Sequence, residues 1–125
     1  MPNKKREEVP LYIPLIPRLQ QLYECPEIAE QLQSHGQQVQ QPHQRDMRDI
    51  HDSPKWRELY GKDGEFEDDP RCIALEFSAD GFSPFHHTTT DPYSIEHQAS
   101  VILNLPPAMR CKPGFTLIQG LIPGK

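Results

Sequence analysis

The 125-residue chain lacks the features that mark disulfide-rich, secreted or membrane-spanning proteins. Its three cysteines, Cys25, Cys72 and Cys111, are odd in number and far apart, which disfavours a disulfide framework and fits a reducing compartment. No apolar run approaches the roughly 20 residues of a membrane-spanning helix. The first ten residues, MPNKKREEVP, contain no apolar segment of a secretory signal. We therefore expect a protein that is not secreted.

Basic charge is also scarce. The formal net charge is −5, and residues 46–69 hold nine acidic against four basic residues. Non-specific binding to nucleic acid usually depends on clustered Lys and Arg, which release counterions from phosphates. The one short basic cluster, KKR at 4–6, is more typical of a solvated terminus than of a DNA contact. The chain alone is therefore expected to bind DNA weakly.

Apolar residues make up only 35% of the chain, and 14 prolines divide it into short elements. The segment LYIPLIPRLQQLYECPEIAEQLQSHG predicts two short helices, with Pro17 in the first turn of one, Pro26 opening the second and Gly36 as a stop. In HDSPKWRELYG, Ser53 is the predicted helix cap and Gly61 the predicted end. The first half of the chain is therefore predicted to be helical.

From residue 71 the hydrophobic period changes from helical to two. Strands are predicted at 72–79, 94–104 and 115–122, and the gaps between them are too short for helical crossovers. The last run is apolar on both faces, which is typical of a central or buried strand. The predicted fold class is α+β, with short N-terminal helices followed by a three-stranded antiparallel meander. Its two parts are a helical and linker segment, 1–70, with a glutamine-rich stretch and an acidic loop, and a sheet segment, 71–125.

Asp80 stands where the first predicted strand ends, and Gly81 follows it. Two interpretations are open. Asp-Gly is a favoured two-residue hairpin turn, but no partner strand follows directly, and a carboxylate at a strand end also suits a metal ligand. Glu76 shares the predicted face but lies about 13 Å away at the rise of a strand. It cannot share a metal pair with Asp80, since such ions lie about 3.5–4 Å apart.

Histidines and cysteines give little support for other chemistry. The six histidines include no pair at the spacing of a zinc site, and the adjacent His86 and His87 tend to diverge. No cysteine has a basic or histidine neighbour in sequence, so a catalytic thiol is not supported. A standalone metal-binding module would rest on Asp80 and scattered histidines alone.

Five short motifs occur in an order that resembles one protein family. The stretch SADGFSPF…YSIEHQASVILNLPPAMRCKPGFTLIQGLIPG is similar to Tnp2-type transposases of CACTA (En/Spm-like) DNA transposons, whose pattern runs DGF-x-PF, YS, NLPP and LIPG. Upstream, VPLYIPLIPRLQQLYECPEIAEQLQSH and HDSPKWRELYG also resemble family segments. The resemblance covers residues 10–122. Family members often have Asn at the position of Ser83 and a small residue near His86.

The resemblance implies an RNase H-like catalytic core, which begins with three antiparallel strands, and a protein that acts on DNA at transposon ends. It implies a nuclear location, and a cytoplasmic location is the alternative. Asp80 matches the first carboxylate of the family's acidic triad and would hold Mg²⁺. The chain ends before the second and third carboxylates, so it is expected to be a fragment that is inactive alone. The alternative is a domesticated, non-catalytic module for DNA docking or protein interaction.

A fragment of such a core should also expose apolar surface where the missing elements would pack. The sequence predicts that surface around four residues of the second and third strands and their flanks: Val101, Leu103, Leu117 and Leu121.

Overall fold

The computed structural model describes residues 8–34, 46–84 and 94–124. These ranges contain four strands, four α-helices and one short 3₁₀ helix. In chain order they are β1 (Leu11–Tyr12), α1 (Ile16–Glu24), α2 (Pro26–Gln33), the 3₁₀ helix (Ile50–Asp52), α3 (Pro54–Tyr60), β2 (Leu75–Phe82), β3 (Ser94–Ile102), α4 (Pro107–Arg110) and β4 (Thr116–Gly124). Across these ranges, no helix has the length and apolar character needed to cross a bilayer.

The strands form one antiparallel sheet in the order β1-β4-β3-β2. The predicted α+β class is confirmed, but the strand count of three is wrong. The additional strand, β1, pairs Leu11 with Leu121 and Tyr12 with Gly120 at the outer side of β4. Pro10 and Pro14 confine this strand to a segment too short for a visible alternation. β4 lies between β1 and β3, which agrees with its apolar character on both faces, whereas a three-stranded meander would have left it at the edge of the sheet.

The predicted helices are present, and proline sets where they begin. Pro17 lies in the first turn of α1, and Pro26 is the first residue of α2. At α3, the Ser53 hydroxyl accepts a hydrogen bond from the Trp56 amide at 3.1 Å, which satisfies one of the unpaired amides of the first turn. The Gly61 amide closes the other end by donating to the Arg57 carbonyl. Gly36 lies outside the described residues.

The core lies between the first two helices and one end of the sheet. Its buried side chains are Leu32 of α2, Ile102 of β3, Leu117 of β4 and Leu105, which follows β3. Part-buried residues, several of them in α1 and α2, pack around them. The core therefore draws on both predicted segments, and the boundary between them at residues 70 and 71 stays a prediction.

The prediction of exposed apolar surface is wrong at Leu117, which is only 4% exposed because the core encloses it. The other three residues of that prediction, Val101, Leu103 and Leu121, are half-buried. Besides Leu11 and Tyr12 of β1, the strands expose three large apolar side chains more fully: Phe77 at 58%, Phe82 at 46% and Ile118 at 41%.

The first predicted strand is shifted by three residues, from 72–79 to 75–82. The reason lies in a side chain from the end of β3. The Asn104 amide donates to the Cys72 carbonyl at 2.9 Å and accepts from the Ala74 amide at 2.7 Å. Because this fully buried side chain fixes the backbone just before β2, the regular ladder begins only at Leu75.

Candidate functional site

Asp80 lies inside β2, where it pairs directly with His97 of β3, and Gly81 pairs with Glu96. The hairpin-turn interpretation of Asp-Gly is therefore wrong. The strand also continues beyond its predicted end, through Phe82. The Asp80 backbone is thus held in the ladder between β2 and β3.

The register assigns Asp80 to one face of the sheet, because side chains opposite each other share a face and neighbours along a strand alternate. We define the Asp80 face as the side chains of Glu76, Ser78, Asp80 and Phe82 in β2, Ile95, His97, Ala99 and Val101 in β3, and Thr116, Ile118 and Leu121 in β4. The core residues Ile102 and Leu117 belong to the opposite face. The helices that cover the core therefore do not cover Asp80.

The Asp80 carboxylate is exposed and forms no hydrogen bond or ion pair with another described residue. Glu76 is the nearest acidic residue along the same face, four positions away. Glu96, opposite Gly81, belongs to the other face, and Asp91 lies outside the described residues. Within the described ranges, no group of three His, Cys, Asp or Glu side chains is arranged to hold a metal ion.

His97 is the one residue near Asp80 that sequence reasoning missed. Its Nδ1 is buried and has no hydrogen-bond partner among the described residues. The Phe82 ring packs edge-on against the imidazole, with ring centroids 5.9 Å apart and planes at 63°. Only the β2–β3 register brings His97 opposite Asp80, since 16 residues separate the two in sequence.

A second acid–imidazole pair lies at the other end of β3, and sequence reasoning missed it too. The Asp49 carboxylate accepts hydrogen bonds from both terminal nitrogens of the Arg110 guanidinium, at 2.7 and 2.9 Å. His51 lies 3.5 Å from the same carboxylate through Nδ1, and its Nε2 is 2.7 Å from the Leu103 carbonyl oxygen. We call Asp49, His51 and Arg110 the buried cluster.

The buried cluster anchors the chain that follows β3. Arg110 also donates to the carbonyls of Leu103 and Leu105, at 2.9 and 2.8 Å. Burial lowers the pKa of His51 and outweighs its hydrogen bond to the Leu103 carbonyl, which acts to raise that pKa. Burial opposes ionisation of Asp49, but its hydrogen bonds to Arg110 and to the Ile50 amide outweigh this, so its pKa is lowered. The cluster therefore holds an ionised carboxylate and a largely neutral imidazole.

In two of the sequence motifs, the most distinctive residue has a structural role. Trp56, in WRELY, lies between His51 and Tyr60, with ring centroids 4.4 and 4.5 Å away. Burial raises the pKa of Tyr60 to about 12. Asn104, in NLPP, bridges the backbone before β2 as described above. Trp56 and Tyr60 therefore pack within the helical region, and Asn104 fixes the backbone that leads into β2.

The remaining sulfur and imidazole groups form no site in the described ranges. Cys25 and Cys72 are half-buried, Cys111 is exposed, and all three are free thiols. His35, His43, His86 and His87 lie outside the described residues, so the expectation that they do not bind metal stays a prediction.

Comparison with known proteins gives one match. A family profile described as "Transposase family tnp2" matches residues 44–125, roughly two thirds of the chain, and this range includes α3, β2, β3, α4 and β4. Searches of curated proteins and of solved structures found no match. The upstream resemblance, over residues 10–43, lies outside the matched range and stays a prediction. The matched range covers the Asp80 face and the buried cluster alike, and the chain belongs to the tnp2 transposase family.

Proposed function

We propose that the chain contributes a metal-binding carboxylate, Asp80, to the DNA cleavage and strand-transfer site of a CACTA-type transposase. Family membership gives the transposase relationship, and one structural observation supports the site. Asp80 is exposed on a regular strand, on the sheet face away from the core, and no described residue neutralises it. A carboxylate with a structural role would be expected to have a partner, as Asp49 does.

The donor chemistry at Asp80 fits Mg²⁺. This ion prefers hard oxygen ligands in octahedral geometry and keeps several waters, so a single exposed carboxylate can bind it weakly. When bound in pairs, such ions activate water or a 3′-hydroxyl and stabilise the leaving oxygen at a phosphodiester. In this proposal the chain fixes the position of one ligand, since the pairing of β2 with β3 holds the Asp80 backbone.

We also propose that the chain alone does not cut DNA. Two-metal chemistry needs several carboxylates that converge on ions about 3.5–4 Å apart. Along the Asp80 face, Glu76 is too distant and Glu96 belongs to the other face. The net charge of −5 adds little attraction for phosphate. Binding to transposon ends, an RNase H-like core and a nuclear location belong to the same proposal, and the fragment interpretation stays a prediction.

One observation favours the alternative of a non-catalytic protein-interaction module. Phe82 and Ile118 expose 46% and 41% of their surface on the Asp80 face, and Phe77 exposes 58% on the other. Apolar surface of this kind suits a protein contact better than contact with DNA phosphates. This alternative predicts that Asp80 can be neutralised without any effect on cation binding.

Magnesium titration followed by amide NMR separates the two functions. In the wild-type chain, we expect millimolar Mg²⁺ to shift the amide signals around Asp80. Asp80→Asn should abolish these shifts, whereas the matched control Glu76→Gln, on the same strand and face, should keep them. Shifts that persist in Asp80→Asn would contradict the proposed role of Asp80.

Incubation of the purified chain with supercoiled plasmid and Mg²⁺ or Mn²⁺ tests the expected inactivity. We expect no nicking. Nicking that disappears in Asp80→Asn would show that the chain supplies a full site, against our proposal. Nicking that persists in this variant would instead indicate a contaminating nuclease or another site.

A further inference from the structure

We propose that His97 is a second metal ligand beside Asp80, and that the pair forms a mixed carboxylate–imidazole site for first-row transition-metal cations. The proposal rests on the proposed role of Asp80 and extends it, because an imidazole changes which cation the site takes. Its basis is the direct pairing of the two residues across β2 and β3, on one face.

The backbone geometry allows one cation to reach both side chains. Residues directly opposite each other in an antiparallel pair have Cβ atoms about 4.5–5.5 Å apart. No ion pair within 4.0 Å joins Asp80 to His97. A cation would have to lie roughly 2.0–2.2 Å from an oxygen of Asp80 and from a nitrogen of His97. In this proposal, the two side chains rotate about their χ angles to bring the donors to these distances, with the strands unchanged.

The state of the imidazole supports a ligand role. Buried polar atoms are hydrogen-bonded in most proteins, and each exception needs an explanation. The Nδ1 of His97 is such an exception among the described residues. In this proposal, a half-turn of the ring about χ2, which exchanges Nδ1 with Cδ2 and Nε2 with Cε1, moves the unpaired Nδ1 to the other edge of the ring, where its lone pair can meet a cation at Asp80. Edge-on packing by Phe82, 5.9 Å away, limits the ring's other motions.

The donor set indicates the class of cation. Oxygen donors alone suit Mg²⁺, whereas imidazole suits Zn²⁺, Cu²⁺, Ni²⁺ and iron. The buried cluster cannot compete for the same ions through His51, because its Nε2 contacts the Leu103 carbonyl and Arg110 already occupies Asp49. Within the described ranges, Asp80 and His97 are therefore the only acid–imidazole pair whose donor atoms are not already occupied by protein partners.

Zinc and magnesium titrations of the metal-free chain test the site, with NMR of the His97 ring nitrogens and the Asp80 carboxyl carbon as readout. These signals identify the site even if cysteines or other histidines also bind Zn²⁺. We expect Zn²⁺ to shift both groups at lower concentration than Mg²⁺. His97→Gln should weaken the Zn²⁺ response at Asp80 by at least about tenfold, the lower end for loss of a supporting residue at a metal site. It should leave the Mg²⁺ response unchanged.

The variants distinguish failure of this proposal from failure of the proposed function. An unchanged His97 ring signal during the Zn²⁺ titration of the wild-type chain overturns the proposal, and this readout does not depend on how any variant folds. The role of Asp80 in Mg²⁺ binding is untouched by that result. The proposed role of Asp80 in Mg²⁺ binding fails instead if Asp80→Asn keeps the Mg²⁺ response. Glu76→Gln should match the wild type in both titrations.

Discussion

Two acid–imidazole pairs lie within the described residues, and their surroundings are opposite. Asp49 and His51 lie in the buried cluster, where Arg110 and the Leu103 carbonyl occupy their polar atoms. Asp80 is exposed on a strand and has no partner among the described residues, and the Nδ1 of His97 opposite it has none either.

Whether the polar atoms of a pair have protein partners indicates whether the pair has a structural or a functional role. An acid that is removed from water needs compensating partners, because an unpaired buried charge is costly. The buried cluster meets this need, so its residues contribute to stability. An exposed acid without partners gains nothing for stability from its position on the sheet, and its donor atoms remain available to a ligand. The following predictions test this contrast.

The largest expected effect is on the buried cluster. Arg110→Ala removes both hydrogen bonds to Asp49 and leaves a largely buried carboxylate unpaired. Breaking such a pair should lower the free energy of unfolding by about 3–5 kcal/mol. Urea unfolding followed by circular dichroism measures this loss.

The matched control is the exposed ion pair between Arg71 and Asp69, whose side chains are 74% and 42% exposed. Arg71→Ala should cost less than about 1 kcal/mol, because solvent screens an exposed pair. Equal losses in the two arginine variants would mean that burial does not distinguish these pairs.

Asn104→Ala should have the next largest effect. The substitution leaves the Cys72 carbonyl and the Ala74 amide without their side-chain partner at a fully buried position. The expected loss is about 1–3 kcal/mol in the free energy of unfolding. Asn104→Asp keeps the acceptor for Ala74 and loses the donor to Cys72. A loss in Asn104→Ala within experimental error would contradict the structural role given to this motif residue.

The buried cluster also predicts how stability depends on pH. Burial lowers the pKa of His51 below its usual 6.5, so the unfolded chain takes up a proton more readily than the folded one. The free energy of unfolding should therefore be at its full value above pH 6.5 and decline as the pH falls below it. One group gives a slope of at most about 1.4 kcal/mol per pH unit.

Unfolding measured between pH 7 and pH 5 in the wild type and in His51→Gln isolates this contribution. The variant should show a smaller slope. The lowered pKa of Asp49 acts at lower pH, since stability from an acid of this kind is present above its usual 3.8 and is lost as the pH falls further. A slope that His51→Gln leaves unchanged would show that another group carries the dependence.

The smallest effect is expected at the exposed Asp80. Asp80→Asn should change the free energy of unfolding by no more than about 0.5 kcal/mol, as is usual for surface positions away from special features. Asp80 lies in no ion pair or hydrogen bond with a described residue. A loss above about 2 kcal/mol in Asp80→Asn would show a structural role for this carboxylate and remove its contrast with Asp49.

Local signals in the sequence were enough to predict most of the elements. Ser53, Pro54 and Gly61 mark the bounds of α3 because each residue type acts within one turn of helix. Pro17 and Pro26 mark the starts of α1 and α2 for the same reason. The alternation after residue 71 predicted β2 and β3, since side chains on a strand alternate whatever its partner is, and a short run that is apolar on both faces predicted β4.

Contacts between distant residues were not predictable from such signals. Asn104 shifts the start of β2, and it lies 30 residues from Ala74. Arg110 and Asp49 are 61 residues apart, and neither has a local pattern that indicates a partner. At the candidate site, the motif match singled out Asp80, but only the register of the sheet brings His97 opposite it.

Paramagnetic line broadening by Mn²⁺ tests the central claim, that Asp80 is a cation ligand, most directly. Mn²⁺ broadens the signals of nearby amides, so substoichiometric ion maps its own position along the chain. We predict the strongest broadening in β2 and β3 around Asp80 and His97, its loss in Asp80→Asn, and little effect at Asp49 and His51. Broadening centred on the acidic residues 46–69, or a pattern that Asp80→Asn leaves unchanged, would contradict the claim.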